Sequence, residues 1–308
     1  MSQKTKRTYL FYLLSIPTVA VVTTVLRAVA LLRDYDPGVG YFASPALPIA
    51  VVALLVASTV VLALFTHELR ELFVFSVDYK DLPTQFSGLF LAATLLFFTV
   101  ANIIVAANES TVAVIVAVLA SLAALIGAAV FAIHAFDGRA PGASRAMLTL
   151  PLAFLGIFVA LYFYFENTMR INEPNKILAQ CAWLAVSFFF LGEARIALGR
   201  PKWPLHVCIT SITALFSATV ALPNLIYHAV EGQALLGNTV HDFVLLGVFL
   251  YTLARLIAAF SAALRQATPE MRYATDFSAA KQEGSVLDKE PEPTTADEET
   301  DDEEATDR

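Results

Sequence analysis

Eight apolar stretches joined by short polar links take up most of this chain and leave it few ways to fold. They run Tyr9–Leu32, Pro45–Phe65, Phe86–Ala107, Thr111–Phe131, Ala146–Phe165, Ile177–Leu198, Leu205–Ala229 and Val240–Leu264. Each holds 20 to 25 residues. A helix rising about 1.5 Å per residue needs roughly 20 to cross about 30 Å of hydrocarbon. Hydrocarbon offers no partner to backbone N–H and C=O groups, so each segment must be a helix that satisfies them internally. The pattern predicts an all-α, polytopic integral membrane bundle of eight transmembrane helices over residues 1–267, with the lipid bilayer as its first partner.

The net charge of −7 does not describe that bundle. Residues 268–308 hold 14 acids against four bases, whereas residues 1–267 hold 13 acids against 16 bases. The acidity belongs to a tail, and the body is mildly basic, with no basic stripe that would call for a nucleic acid. The stretch "DKEPEPTTADEETDDEEATDR" has almost no apolar side chain to offset the roughly 1–2 kcal/mol of backbone entropy that ordering each residue costs. It is expected to stay disordered, to be held off an anionic leaflet, and to be open to a basic cytoplasmic partner.

Lys4, Lys6 and Arg7 precede the first apolar run, but that run is too long for a signal-peptide core, so an uncleaved first helix is expected. Even crossings put both termini on one side. If that side is cytoplasmic, it collects Lys4, Lys6, Arg7, Arg70, Lys80, Arg139, Arg145, Arg195, Arg200, Lys202, Arg265 and Arg272. The outer side collects Arg33, Arg170 and Lys176. Twelve against three is the positive-inside pattern, which predicts cytoplasmic termini in a plasma (inner) membrane. The segment "HELRELFVFSVDYKDLP" is expected to prolong helix 2 until Pro83 starts a new element.

The two halves show an ordered correspondence that predicts parallel repeats over 1–137 and 138–267. Leu14-Ser15-Ile16-Pro17 matches Leu148-Thr149-Leu150-Pro151, and Glu68-Leu69-Arg70 matches Glu193-Ala194-Arg195. Asn102-Ile103-Ile104 matches Asn224-Leu225-Ile226, and Ser110-Thr111-Val112 matches Asn238-Thr239-Val240.

Polar side chains inside spans are costly, about 2.5–3.5 kcal/mol for a charge on insertion scales, and therefore mark candidate sites. Arg255 is the deepest, in the middle of helix 8, and needs a partner; Glu193 lies nearest in depth. With Asn102 and Asn224 these form a candidate intramembrane polar site. Glu68, Arg70 and Arg195 form candidate ion pairs at the inner face, crossed as Glu68–Arg195 and Glu193–Arg70. Arg27, about five residues from the outer end of helix 1, is expected to snorkel to the headgroups. His228, His241, Asp242 and Glu166 fall near one outer link and form a rim that a divalent ion would need, although no ligand spacing supports a metal. Cys181 and Cys208 are expected to be packing residues. Ala120, Ala124 and Ala128, like Ala254, Ala258 and Ala262, recur every four residues and would let helix backbones approach closely.

No P-loop, G-x-S-x-G or H-E-x-x-H occurs, so neither a cofactor nor an enzyme activity is expected. Many crossings, short links, the repeats and a deep Arg255 favour transport or permeation of a small solute. A sensor or scaffold working through its acidic tail, and an enzyme built on the outer His/Glu/Asp rim, are the alternatives.

Overall fold

The computed structural model describes residues 3–69, 81–106, 110–137, 143–165, 172–198, 202–236 and 239–266. Among them are eight helices long and apolar enough to cross a membrane. They are α1 (Gln3–Asp34), α2 (Ala46–Phe65), α3 (Leu82–Ala106), α4 (Thr111–Asp137), α5 (Ala143–Phe165), α6 (Pro174–Ala197), α7 (Trp203–Glu231) and α8 (Val240–Gln266). Several extend beyond the apolar runs. Pro83, Pro174 and Pro204 stand in first turns, where a missing N–H costs nothing, so α3, α6 and α7 begin earlier than hydropathy alone sets them.

A small hairpin follows α1. Strands β1 (Tyr35–Asp36) and β2 (Tyr41–Phe42) pair antiparallel, and the Asp36 carboxylate accepts the Gly38 N–H at 2.8 Å to form the turn between them. Helix α2 does not continue as expected: it tightens into a 3₁₀ turn over Thr66–Leu69. The rest of that predicted extension lies outside the described residues, as does the acidic tail from residue 268.

Burial does not follow apolarity. Of the α2 window only 17% is buried, although α2 is more apolar than α7, whose window is 72% buried. Large apolar side chains such as Leu64, Phe136 and Ile104 stand exposed, while Thr210, Ser211, Thr213, Ser217 and Thr219 are enclosed on α7. A water-soluble domain would not present apolar area on this scale, whereas a bundle surrounded by hydrocarbon gains nothing by hiding it.

Two apolar clusters form the interior. One joins α3, α4, α5 and α6 with α8 and the C-terminal part of α7; the other joins α1 and α2 with α7 and α8. Helix α8 reaches neighbours on several sides, through Tyr251 against Phe131 of α4 and Phe189 of α6, and through Phe260 stacked on Tyr9 of α1. Ala120, Ala124 and Ala128 are buried in the first cluster, and Ala254 and Ala258 are buried on α8. Cys181 is exposed, contrary to the packing role expected of it, because its position falls on the outward face of α6; Cys208 is buried.

Gly156 allows α5 and α6 their closest approach. A Cβ there would lie 2.0 Å from the Trp183 carbonyl oxygen and 2.4 Å from Ser187 Oγ. The first obstacle is backbone and cannot swing aside. Gly156→Ala should therefore destabilise the bundle by about 1–3 kcal/mol, the usual cost of overpacking, as thermal unfolding in detergent would measure. Gly232→Ser, where no atom lies within 4 Å of the added Cβ, should suffer only from its backbone φ of 72°.

Candidate functional site

Three consecutive helices bring together one cluster of buried polar groups. Arg255 of α8 donates through Nε and Nη2 to the two carboxylate oxygens of Glu193 on α6, both at 3.2 Å. His206 of α7 brings its Nε2 to 3.1 Å from Glu193 Oε1. All three side chains are buried. A fork-to-fork guanidinium–carboxylate contact neutralises both charges where water is scarce, and the imidazole takes up further acceptor capacity of the carboxylate. Gly192 makes room for this, since a Cβ there would stand 2.7 Å from His206 Nδ1. A cavity of about 10 Å³, lined by Glu193, His134, Thr149 and Tyr251, lies against the cluster and approaches the room that one water needs.

A second polar cluster occupies the opposite ends of the same helices. Arg27 of α1 donates to the Thr219 carbonyl at 2.6 Å, the Val220 carbonyl at 3.2 Å and Asn175 Oδ1 at 3.0 Å. Asn224 Nδ2 donates to Asp242 Oδ1 at 2.7 Å. Thr23 of α1 and Thr219 of α7 share a hydroxyl contact of 2.8 Å. Beyond them, Tyr35 donates to Glu173 Oε1 at 2.6 Å; burial, with this carboxylate beside it, raises the phenol above its ordinary range and keeps it a donor.

Arg27 does not snorkel. It is 3% exposed, and the cause lies in α7. Pro223 has no N–H to return to the Thr219 carbonyl one turn earlier, so that oxygen is left without its helical partner, and the guanidinium supplies one. Lys176 likewise leaves the outer link assigned to it: α6 begins at Pro174, and Lys176 is buried in its first turn.

The other expected residues separate. Asn102 stands apart from the Arg255 site, donating from α3 to the Ala117 carbonyl at 3.0 Å and Ser121 Oγ at 3.2 Å on α4. Glu193 meets Arg255 of α8 and His206 of α7; the expected pairing with Arg70 lies outside the described residues, and Arg195 is exposed. Glu68 sits half-buried in the 3₁₀ turn. The outer rim does not assemble as a rim. His241 and Asp242 point into the bundle because the first turn of α8 packs inside it, while His228 is only half-buried and Glu166 lies outside the described residues. Phe98, Tyr162, Phe163 and Trp183 enclose the His241 ring at centroid distances of 4.8–6.0 Å, and neither ring nitrogen has a hydrogen-bond partner among the described residues. No group of three His, Cys, Asp or Glu that could hold a metal occurs among the described residues.

Sequence reasoning missed His206, which counts as a surface position by its distance from the start of helix 7. The signal available was Gly192, immediately before Glu193, which marks a close approach on that face. Comparison with protein-family models, with curated proteins and with solved structures gives no match.

Arg255→Ala should leave Glu193 charged and buried without its main partner, a loss of about 3–5 kcal/mol in unfolding free energy. The double change Glu193→Gln with Arg255→Met should cost less than Arg255→Ala alone. Denaturant unfolding of the wild type, Arg255→Ala and the double variant in one detergent checks this; a double variant no more stable than Arg255→Ala would mean that the two side chains do not act as a pair.

Proposed function

We propose that the protein moves a small solute across the membrane along α6, α7 and α8, between the two polar clusters. One observation carries this reading: each of these helices contributes one buried polar group to each cluster. Helix α6 gives Glu193 and Asn175, α7 gives His206 and Asn224, and α8 gives Arg255 and Asp242. Along α6 the two groups are 18 residues apart, about 27 Å at roughly 1.5 Å per residue, which is close to the full hydrocarbon thickness. Helix packing alone does not call for costly polar groups at both ends of the same three helices, whereas a path closed at each end by separable contacts does.

The groups between the clusters support the same reading. Ser217 of α7 is buried, and its hydroxyl has no hydrogen-bond partner among the described residues. Asp242 Oδ2 and Asn224 Oδ1 are in the same condition at the outer end. Polar atoms left without protein partners are places where water or a solute can be held.

The parallel repeat belongs to this proposal. Asn102 and Asn224, at matching places in the two halves, each donate from the third helix of a half to its fourth. The cytoplasmic placement of both termini also belongs to it, on the positive-inside pattern.

Purified protein in liposomes, tested by current recording on a solid-supported membrane with a panel of amino acids, organic acids and sugars, should give a solute-dependent signal. Asp242→Asn should reduce that signal at least tenfold while the protein still folds. Signals no larger than those of empty liposomes across the panel, or an unaffected variant, would overturn the transport reading. A reporter fused after Arg272 should behave as cytoplasmic and one inserted at Gly232 as external; the reverse pattern would invert the topology.

A further inference from the structure

A groove of about 140 Å³ opens between α6 and α7 on the outer surface of the bundle, beside the Glu193 cluster. Its apolar wall is built by Phe188, Leu191 and Leu205, all exposed. At one end stand Arg195 and Lys202, both exposed, and among the described residues no acid lines the groove. Lys202 is also the residue at the N-terminal cap of α7 and supplies no side-chain cap, so the positive end of this 29-residue helix faces the same place. His206 lies on the floor, 94% buried, with Nε2 on Glu193 and Nδ1 turned to Gly192, without a hydrogen-bond partner among the described residues.

We infer that this groove is a binding site for an anionic glycerophospholipid. The phosphate would lie between Arg195, Lys202 and the start of α7, and an acyl chain would run along Phe188, Leu191 and Leu205. The chemistry selects lipid over free phosphate because the cations sit at the end of an apolar wall against which the first part of an acyl chain would pack. It selects an anionic over a zwitterionic lipid because a choline ammonium would meet two cations and no carboxylate. Basic pockets between membrane helices bind acidic headgroups on the same physical grounds. The site stands whether or not the protein transports a solute, since it needs only the groove and the bilayer.

Native mass spectrometry of the full chain released from nanodiscs of equal phosphatidylglycerol and phosphatidylcholine tests this. The wild type should retain one phosphatidylglycerol at least tenfold more often than phosphatidylcholine. Arg195→Gln with Lys202→Gln should abolish that preference, and Leu205→Trp, which fills the groove, should expel the lipid with both cations in place. Arg33→Gln, removing an exposed cation at the far end of α1, should change nothing. Phosphatidylglycerol should raise the melting temperature of the wild type in detergent by several degrees, and inorganic phosphate should not. Equal retention of the two lipids, retention unchanged in Arg195→Gln/Lys202→Gln or in Leu205→Trp, or protection by phosphate alone would overturn the proposal.

Discussion

A guanidinium or carboxylate in a hydrocarbon surrounding has one place to go, which is inward against another polar group, and this requirement orders the bundle. Apolar side chains such as Leu64 and Phe136 are free to face outward, so they do not decide which helix lies inside. Polar side chains do. Helix α7 is the most enclosed of the eight and carries His206 and Asn224, each of which meets a polar group of a neighbouring helix. Helices α6, α8 and α1 gather round it with Glu193, Asp242, Arg255 and Arg27. Helix α2, whose span has no group of that kind, is left at the margin.

The strength of these contacts lies in what their loss would expose rather than in net attraction. Bringing Arg255 and Glu193 together out of water recovers little more than the cost of dehydrating them, but each alone would be a bare charge in a medium that cannot screen it. Their contact therefore specifies which faces of α6 and α8 meet more than it stabilises the fold. Gly192 and Gly156 extend the same logic to the backbone, removing bulk where a carbonyl or an imidazole has to come close.

The eight helices were legible because an apolar run of about 20 residues has one physical reading in lipid. The Glu193–Arg255 contact was legible because depth can be counted along a helix at a fixed rise, and two opposite charges at one depth seek each other. Arg27 was misplaced by the same counting. Its distance from the helix end allowed it to reach the headgroups, and nothing in α1 shows that Pro223, far along the chain, frees a carbonyl for it. His241 and Asp242 were set on a rim because their position next to a link says nothing about rotation of α8, which Gly247 and Tyr251 fix by packing. Depth is written in one segment, whereas azimuth depends on all of them.

The bond from Arg27 to the Thr219 carbonyl joins residues 192 positions apart. A ribosome adding roughly 5–20 residues per second needs about 10–40 s to cover that distance. For that interval α1 is already made while the helix that will receive its guanidinium does not yet exist. The depth of Arg27, about five residues from the end of its apolar run, supplies an interim solution, since from there a long side chain can wait among the headgroups. Snorkelling then describes the young chain and burial the finished one. The arrival of α7, with the carbonyl that Pro223 leaves free, is the event that draws the charge inside.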